Sequence, residues 1–152
     1  MGIKANFSMN DIRAKANRFV QAVDAEMIDT LKYLGEMCVK HAKEVPMGSG
    51  YQDQTGNLRS STGYALFRNG ALIFDSYEQV NQGAEGVRVG KELANSIGKN
   101  KRGLVLVVTA GMNYASCVEA RGKDVLAGAE NVAKQELPRM LEELKGDIGG
   151  LQ

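Results

Sequence analysis

Few residues of this 152-residue chain have the type and spacing that catalysis requires. The single histidine, His41, lies between Lys40 and Lys43 at the predicted end of a helix, with no adjacent cysteine, serine or second histidine to form a nucleophilic pair. Glu119 is close to Arg121, which favours a salt bridge over the role of a general base. We therefore expect no enzyme, and a small hydrolase built around His41 or Glu119 is the weakest alternative.

Residues that could bind a metal or a cofactor do not occur in the sequence at the spacings such sites require. Cys38 and Cys117 are far apart and match no metal-binding or redox spacing, so reduced, partly buried thiols are expected and no disulfide. The stretch Gly86–Glu92 superficially matches a phosphate-binding loop. It has one residue too few between its glycines, and Glu92 stands where serine or threonine should hold the metal. We predict no metal, no cofactor and no small-molecule substrate.

Composition and charge indicate one globular domain, residues 1–152. Hydrophobic residues make up 43% and charged residues 24%, close to globular averages. The longest apolar run, Leu104–Val108, is too short to cross a bilayer, and the N-terminus lacks the apolar core of a signal peptide. We expect no membrane partner, and a protein that stays in the compartment where it is made.

A long helix is predicted over residues 10–45, after a flexible arm at 1–8. Ser8 can cap the helix with Asp11 three residues on, and Val45–Pro46 marks its end. At 1.5 Å per residue the helix is roughly 50 Å long, more than the width of such a domain. It must break near Gly35 or project onto a neighbouring subunit. A coiled-coil seam is the alternative to packing its apolar face on its own sheet. The face comprises Ile12, Ala16, Phe19, Val23, Met27, Leu31, Leu34, Cys38, Ala42 and Val45.

A β-hairpin is predicted over residues 57–78. Thr55-Gly56-Asn57 is a turn cluster that leads into a period-two run from Leu58, and Asn69-Gly70 is the pair favoured by a type I′ turn. Neither face of the first strand is strongly apolar, which predicts a sheet covered on one side only. The run Leu104–Thr109 is apolar on both faces, which predicts a central strand.

Residues 79–103 are predicted to form a flexible loop, because they are polar and interrupted by glycines. A loop of that length is usually a binding loop or disordered. A short helix over Lys91–Ile97 is the weaker alternative for part of it. Residues 104–148 are predicted to form one or more strands followed by a C-terminal helix. Pro138 lies inside the helical pattern and predicts a kink or a split, and Gly149-Gly150 should end the helix. The predicted fold is α+β, with a long N-terminal helix and a C-terminal helix packed on a small, mainly antiparallel sheet.

Two short motifs, one after the other along the chain, resemble the motifs of a known protein family. The first follows the long helix and the second follows the apolar strand; they comprise Thr55, Gly56, Asn57, Leu58 and Arg59, and then Tyr114, Ala115, Val118 and Glu119. With the helices around them, they resemble the tail-completion (head–tail joining, or minor tail) proteins of long-tailed bacteriophages. The family often has an aromatic residue and a glycine after the Val-Glu pair, whereas Ala120-Arg121-Gly122 follows here.

The resemblance implies a non-enzymatic virion protein. Such subunits assemble into a ring, expected to be a hexamer, at the head-proximal end of the tail, where tail tube and head connector proteins are the partners. The location implied is the tail or neck of the virion, and the host bacterial cytoplasm during assembly.

Candidate contact surfaces are the long helix, the hairpin edge and the 79–103 loop. The basic residues on them are Arg13, Lys15, Arg18, Lys91, Lys99, Lys101 and Arg102. The alternative function is a nucleic-acid-binding accessory protein that uses these side chains. A net charge of +1 and the lack of aromatic residues between basic ones make direct nucleic-acid binding unlikely.

Overall fold

The computed structural model describes residues 2, 6–44, 55–111 and 126–150. The described elements, in chain order, are α1 (Met9–Lys43), α2 (Asn57–Ser61), β1 (Thr62–Arg68), β2 (Ala71–Tyr77), α3 (Ala84–Gly98), β3 (Leu104–Ala110) and α4 (Ala127–Gly150). The strands form one antiparallel sheet in the order β2-β1-β3. Helices α1 and α4 pack on one face and α3 on the other. The predicted α+β class is confirmed.

Helix α1 begins at the predicted cap. The Ser8 hydroxyl accepts a hydrogen bond from the Asp11 amide at 3.2 Å, and the Asp11 carboxylate accepts one from the Ser8 amide at 2.8 Å. The helix continues unbroken through Gly35, so a break there is wrong, and it ends at Lys43 rather than at residue 45. A Cβ at Gly35 would lie 2.6 Å from the ring of Tyr64. This glycine serves close packing between helix and sheet.

The predicted hairpin turn is confirmed, but the start of the hairpin is not. Asn69 and Gly70 have φ of 49° and 85°, both positive as a type I′ turn requires. Residues 57–61, predicted as strand, form α2 instead. The Ser61 hydroxyl donates to the Leu58 carbonyl at 2.7 Å, a local bond of the kind that competes with strand pairing.

Among the described strands β1 is the central one. The predicted central position of β3 stays a prediction, since residues 112–125, which follow it, lie outside the described residues. β1 pairs with both β2 and β3. β3 is apolar on both faces because helices cover both of its faces. Leu106 and Val108 pack in the core with α1 and α4, whereas Val105 and Val107 pack in the core with α3. The predicted coverage of the sheet on one side only is wrong for the same reason.

The predicted flexible loop at 79–103 contains helix α3, so that prediction is wrong. Its small residues recur every fourth position and form one buried face; they are Gly86, Gly90, Ala94 and Gly98. Gly86 lies against the carbonyl of Asn57, and Gly98 lies against the ring of Phe67. A glycine inside a helix costs about 1 kcal/mol relative to alanine, and the close approach of the backbone offsets this.

Helix α4 runs without a split through Pro138 to Gly150, past Gly149, where an end was predicted. Pro138 is exposed, so the missing hydrogen bond leaves the packed face of the helix intact. On that face Ala129 and Met140 join a core cluster with Leu34, Cys38 and Ala42 of α1.

Candidate assembly surface

Helix α1 consists of two halves with different surroundings. They meet at Asp24, whose carboxylate accepts a hydrogen bond from the Arg68 guanidinium at 2.6 Å, at the end of β1. Beyond this point Leu34, Cys38 and Ala42 are buried. Before it, residues 9–22 are all exposed and Val23 is half-buried. We call residues 9–23 the projecting half of α1. At 1.5 Å per residue it extends roughly 22 Å from Asp24.

The projecting half keeps large apolar side chains in solvent. Met9 is 65% exposed and Val20 is 63% exposed, and Phe7, just before the helix, is 64% exposed. Ile12 and Phe19 are also exposed. With Ala16 and Val23, these residues extend the apolar stripe that is buried in the other half of α1. A contiguous exposed apolar patch of this kind marks an interaction site.

The projecting half is helical without packing on the sheet because its start is stabilised locally. The Asp11 carboxylate also accepts a hydrogen bond from the Ser8 hydroxyl at 2.8 Å. The bonds from the Ser8 amide and hydroxyl lower the pKa of Asp11. The carboxylate is therefore ionised at neutral pH, next to the positive end of the helix dipole. The apolar stripe is thus presented on a preformed helix.

Two groups of predicted interface cations lie toward the same end of the molecule. Arg13, Lys15 and Arg18 are exposed on the projecting half. Lys99, Lys101 and Arg102 are exposed beside the hairpin turn. The turn is tied to this segment, since the Asn69 amide donates to the Gly103 carbonyl and the Asn69 side chain accepts from the Gly103 amide, both at 2.9 Å. The projecting half leaves the domain at this end.

Lys91 is not part of this group. It is half-buried on α3, and its Nζ lies 3.4 Å from the carboxylate of Asp75 on β2. The predicted set of interface cations therefore includes one residue that links two elements of its own domain.

The first family motif, Thr55 to Arg59, lies at the opposite end of β1 and joins elements together. Gly56 has a φ of 78°, and a Cβ there would meet the carbonyl of Val80. The Asn57 side chain accepts a hydrogen bond from the Gly86 amide at 3.1 Å, and Leu58 is fully buried. These contacts hold α2 against the start of α3. The second motif, Tyr114, Ala115, Val118 and Glu119, lies outside the described residues.

Sequence reasoning missed two serines in this junction. The Ser60 hydroxyl accepts a hydrogen bond from the Val80 amide at 2.7 Å, and the Ser61 hydroxyl accepts one from the Gly111 amide at 3.0 Å. Both side chains are fully buried. The Ser-Ser-Thr run after a Gly-Asn turn was the available signal, because these hydroxyls bond readily to nearby backbone groups.

An apolar groove lies between α1, β3 and α4 and has a volume of about 790 Å³. Its lining is Leu31, Leu34, Cys38, Leu104, Val105, Leu106, Val108, Leu126, Ala129, Glu130, Ala133 and Leu137. Glu130 is the one charged residue among them, and Leu104, Leu106 and Leu137 are only half-buried. Within the described part of the chain, β3 forms the edge of the sheet here. The groove was not predicted because it arises from three separate elements.

Among the described residues, those considered for catalysis or metal binding do not come together in one site. The Cys38 thiol donates to the Ala129 carbonyl at 3.5 Å, and burial raises its pKa, which makes it a poor nucleophile. His41, one turn further along α1, is exposed. Among the described residues, no three histidine, cysteine, aspartate or glutamate side chains form a group that could hold a metal ion. None of the described helices has both the length and the apolar character needed to span a membrane.

Comparison with known proteins finds no family model, no curated protein and no solved structure that matches this chain.

Proposed function

We propose that this protein is a non-enzymatic structural subunit that assembles with copies of itself into a ring. The role proposed is that of the tail-completion, or head–tail joining, proteins of long-tailed bacteriophages, which its motifs resemble. A hexameric ring at the head-proximal end of the tail would contact tail tube and head connector proteins. The observation that carries the proposal is the projecting half of α1, a preformed helix on whose exposed apolar stripe none of the other described elements packs.

Burial of this stripe by another subunit would give a concentration-dependent contact. Fully burying one large apolar side chain contributes about 1.5–3 kcal/mol. Phe7, Met9, Ile12, Phe19 and Val20 together would contribute on the order of 10 kcal/mol, while association itself costs about 4–15 kcal/mol. A single such contact is therefore weak. A closed ring gains because every subunit makes two contacts at once.

Other exposed surfaces support assembly at different positions. Among the described strands β2 is a sheet edge, with Leu72 and Ile73 exposed at 44% and 41%. On α3, beside its buried face, Leu93 and Ile97 are exposed at 38% and 40%. A flexible loop was expected to supply a contact surface at 79–103, but most of that segment is a formed helix. A subunit with different surfaces on different sides suits the heterologous contacts of a ring.

The proposal is tested by measuring the mass of the purified chain by light scattering over a concentration series, together with electron microscopy of the most concentrated sample. We expect the mass to rise toward a closed ring and ring-shaped particles to appear. The matched variant is Phe19→Asp, which places a charge in the stripe, with Gln21→Asp as the control on the other side of the same helix. A mass of one chain at every concentration would contradict the proposal.

Nucleic-acid binding is the second candidate, and one observation favours it. The structure brings Arg13, Lys15 and Arg18 toward the same end as Lys99, Lys101 and Arg102. A protein that uses these six cations on a duplex would lose affinity steeply as salt rises. An assembly subunit would show little duplex binding at physiological ionic strength. Titration of labelled duplex DNA at several salt concentrations distinguishes the two functions.

A further inference from the structure

We infer that the groove between α1, β3 and α4 receives the projecting half of α1 from a second copy of this chain. The inference rests on the self-assembly proposed above and identifies the two surfaces that meet. One surface is an exposed apolar helix stripe and the other is an apolar groove. Each copy has both, so each copy donates one helix and accepts one.

Size and chemistry fit this occupant. A volume of 790 Å³ is in the range of roughly 300–1,000 Å³ that buries most of a drug-sized molecule, which is also sufficient for several side chains of one helix face. The lining offers leucine, valine and alanine side chains and a single carboxylate, so it matches the stripe formed by Ile12, Ala16 and Phe19. A helix in this position would also cover the edge of β3 with which no described strand pairs, one of the ways in which proteins protect sheet edges.

The charges on the projecting half favour its binding in the groove over the pairing of two projecting halves with each other. Arg13 and Lys15 flank the apolar stripe on its two sides at about 100° per residue. Two such helices side by side would bring like charges together. Helix α4, which forms one wall of the groove, has five acidic and three basic residues; the acidic ones are Glu130, Glu136, Glu142, Glu143 and Asp147. Of these, Glu130 lines the groove, and its carboxylate also pairs with Lys134 on the same helix. The excess of acidic over basic residues gives α4 a net charge opposite in sign to that of the projecting half.

The contact is heterologous, because the donating and accepting surfaces are different parts of the chain. Repetition of such a contact closes into a ring when the rotation between neighbours divides a full turn, and otherwise continues as a filament. This supplies the geometry that the proposed ring needs.

The test uses two full-length variants that are each defective at one surface. Phe19→Asp places a charge on the stripe and leaves the groove intact. Ala133→Phe fills the groove, which Ala133 lines, and leaves the stripe intact. Gln21→Asp and Gln135→Phe introduce the same residues at exposed positions on the same two helices and serve as controls. Thermal unfolding at low concentration establishes that all four variants are folded.

We expect each defective variant alone to lose association by at least tenfold, and both controls to associate as the native chain does. A mixture of the two defective variants should form a one-to-one dimer and nothing larger, because one intact stripe and one intact groove are present.

Three results would overturn the inference. If Ala133→Phe associates normally while Phe19→Asp does not, the projecting half binds another surface. If the native chain forms rings and neither variant changes them, assembly stands and this contact is wrong. If the native chain never associates, both the contact and the proposed function fail.

Discussion

The two halves of α1 present the same apolar stripe in opposite environments. In the half that follows Asp24, the stripe becomes buried against the sheet and α4 from Leu34 onward, and Leu34 and Cys38 are 2% and 1% exposed. In the projecting half, Met9 and Val20 on the same side of the helix are 65% and 63% exposed. The difference teaches that an apolar stripe specifies that a helix needs a partner, but not whether the partner belongs to the same chain.

The largest expected effect is a difference in stability between substitution of a buried and of an exposed residue in this stripe. Leu34→Ala should lower the free energy of unfolding by about 2–5 kcal/mol, because it leaves a cavity in the packed core. Val20→Ala should change it by less than about 0.5 kcal/mol in the dissociated chain. Denaturant unfolding at low protein concentration measures both. Equal losses in the two variants would mean that the projecting half is packed in the isolated chain.

A second contrast uses two helical glycines. Gly35→Ala should destabilise the fold by about 1–3 kcal/mol, because the new Cβ would lie 2.6 Å from the buried ring of Tyr64. Gly146→Ala on α4 meets nothing within 4 Å and should stabilise the fold by up to about 1 kcal/mol through helix propensity. Thermal unfolding of the two variants should shift in opposite directions. A stabilising Gly35→Ala would disprove the close contact between α1 and β1.

The packed domain should also respond to alkali. Burial, with a smaller contribution from the charge of Asp75, raises the pKa of Tyr77 to about 12, although the Thr109 hydroxyl 2.7 Å away opposes the shift. The folded state therefore favours the neutral phenol. Its contribution to stability is complete below the ordinary tyrosine pKa of about 10 and is lost as pH rises from there toward 12.

Denaturant unfolding between neutral pH and pH 12 measures this loss. Tyr77→Phe should reduce the alkaline decline without removing it, because the pKa of Tyr64 is also raised, chiefly by burial and then by Glu36. An unchanged decline in Tyr77→Phe would exclude Tyr77 as one of its sources.

The smallest expected effect is fraying at the start of the projecting half, caused by acid or by removal of the Asp11 charge. Hydrogen bonds from Ser8 lower the pKa of Asp11 below its ordinary value of 3.8. The stabilisation of the helix start is therefore present above that value and is lost as pH falls through the lowered pKa. Asp11→Asn should increase fraying of the first turn at neutral pH with no measurable change in global unfolding. Hydrogen exchange of amides 9–12 measures the fraying, and unchanged exchange would show that the cap does not hold this end.

Local signals predicted those parts of the fold that depend on neighbouring residues. The Ser8–Asp11 cap and the Asn69-Gly70 turn are set within four residues, and both are as predicted. Helix α3 was predicted only as a weak, short alternative over Lys91–Ile97, because its glycines were treated individually as breakers. Their recurrence every four residues, together with Ala94, indicates one helix face suited to close packing.

The candidate surface was predicted only in part, because it depends on tertiary arrangement. The length of α1 correctly implied that part of it projects from the domain. The groove, the pairing of Lys91 with Asp75 and the central position of β1 among the described strands each depend on which elements become neighbours. Periodicity along the chain contains no information about that choice, since a strand covered by helices on both faces is apolar on both faces wherever it lies in the sheet.

Hydrogen exchange at two protein concentrations tests the central claim most directly. At the lower concentration, where the chain is dissociated, amides 9–22 should exchange quickly while amides 34–42 are protected. At the higher concentration, where it is assembled, amides 9–22 should become protected as well, together with those of β3 at the groove. If amides 9–22 exchange quickly in the assembled sample, or are already protected in the dissociated chain, the projecting half is not the assembly surface.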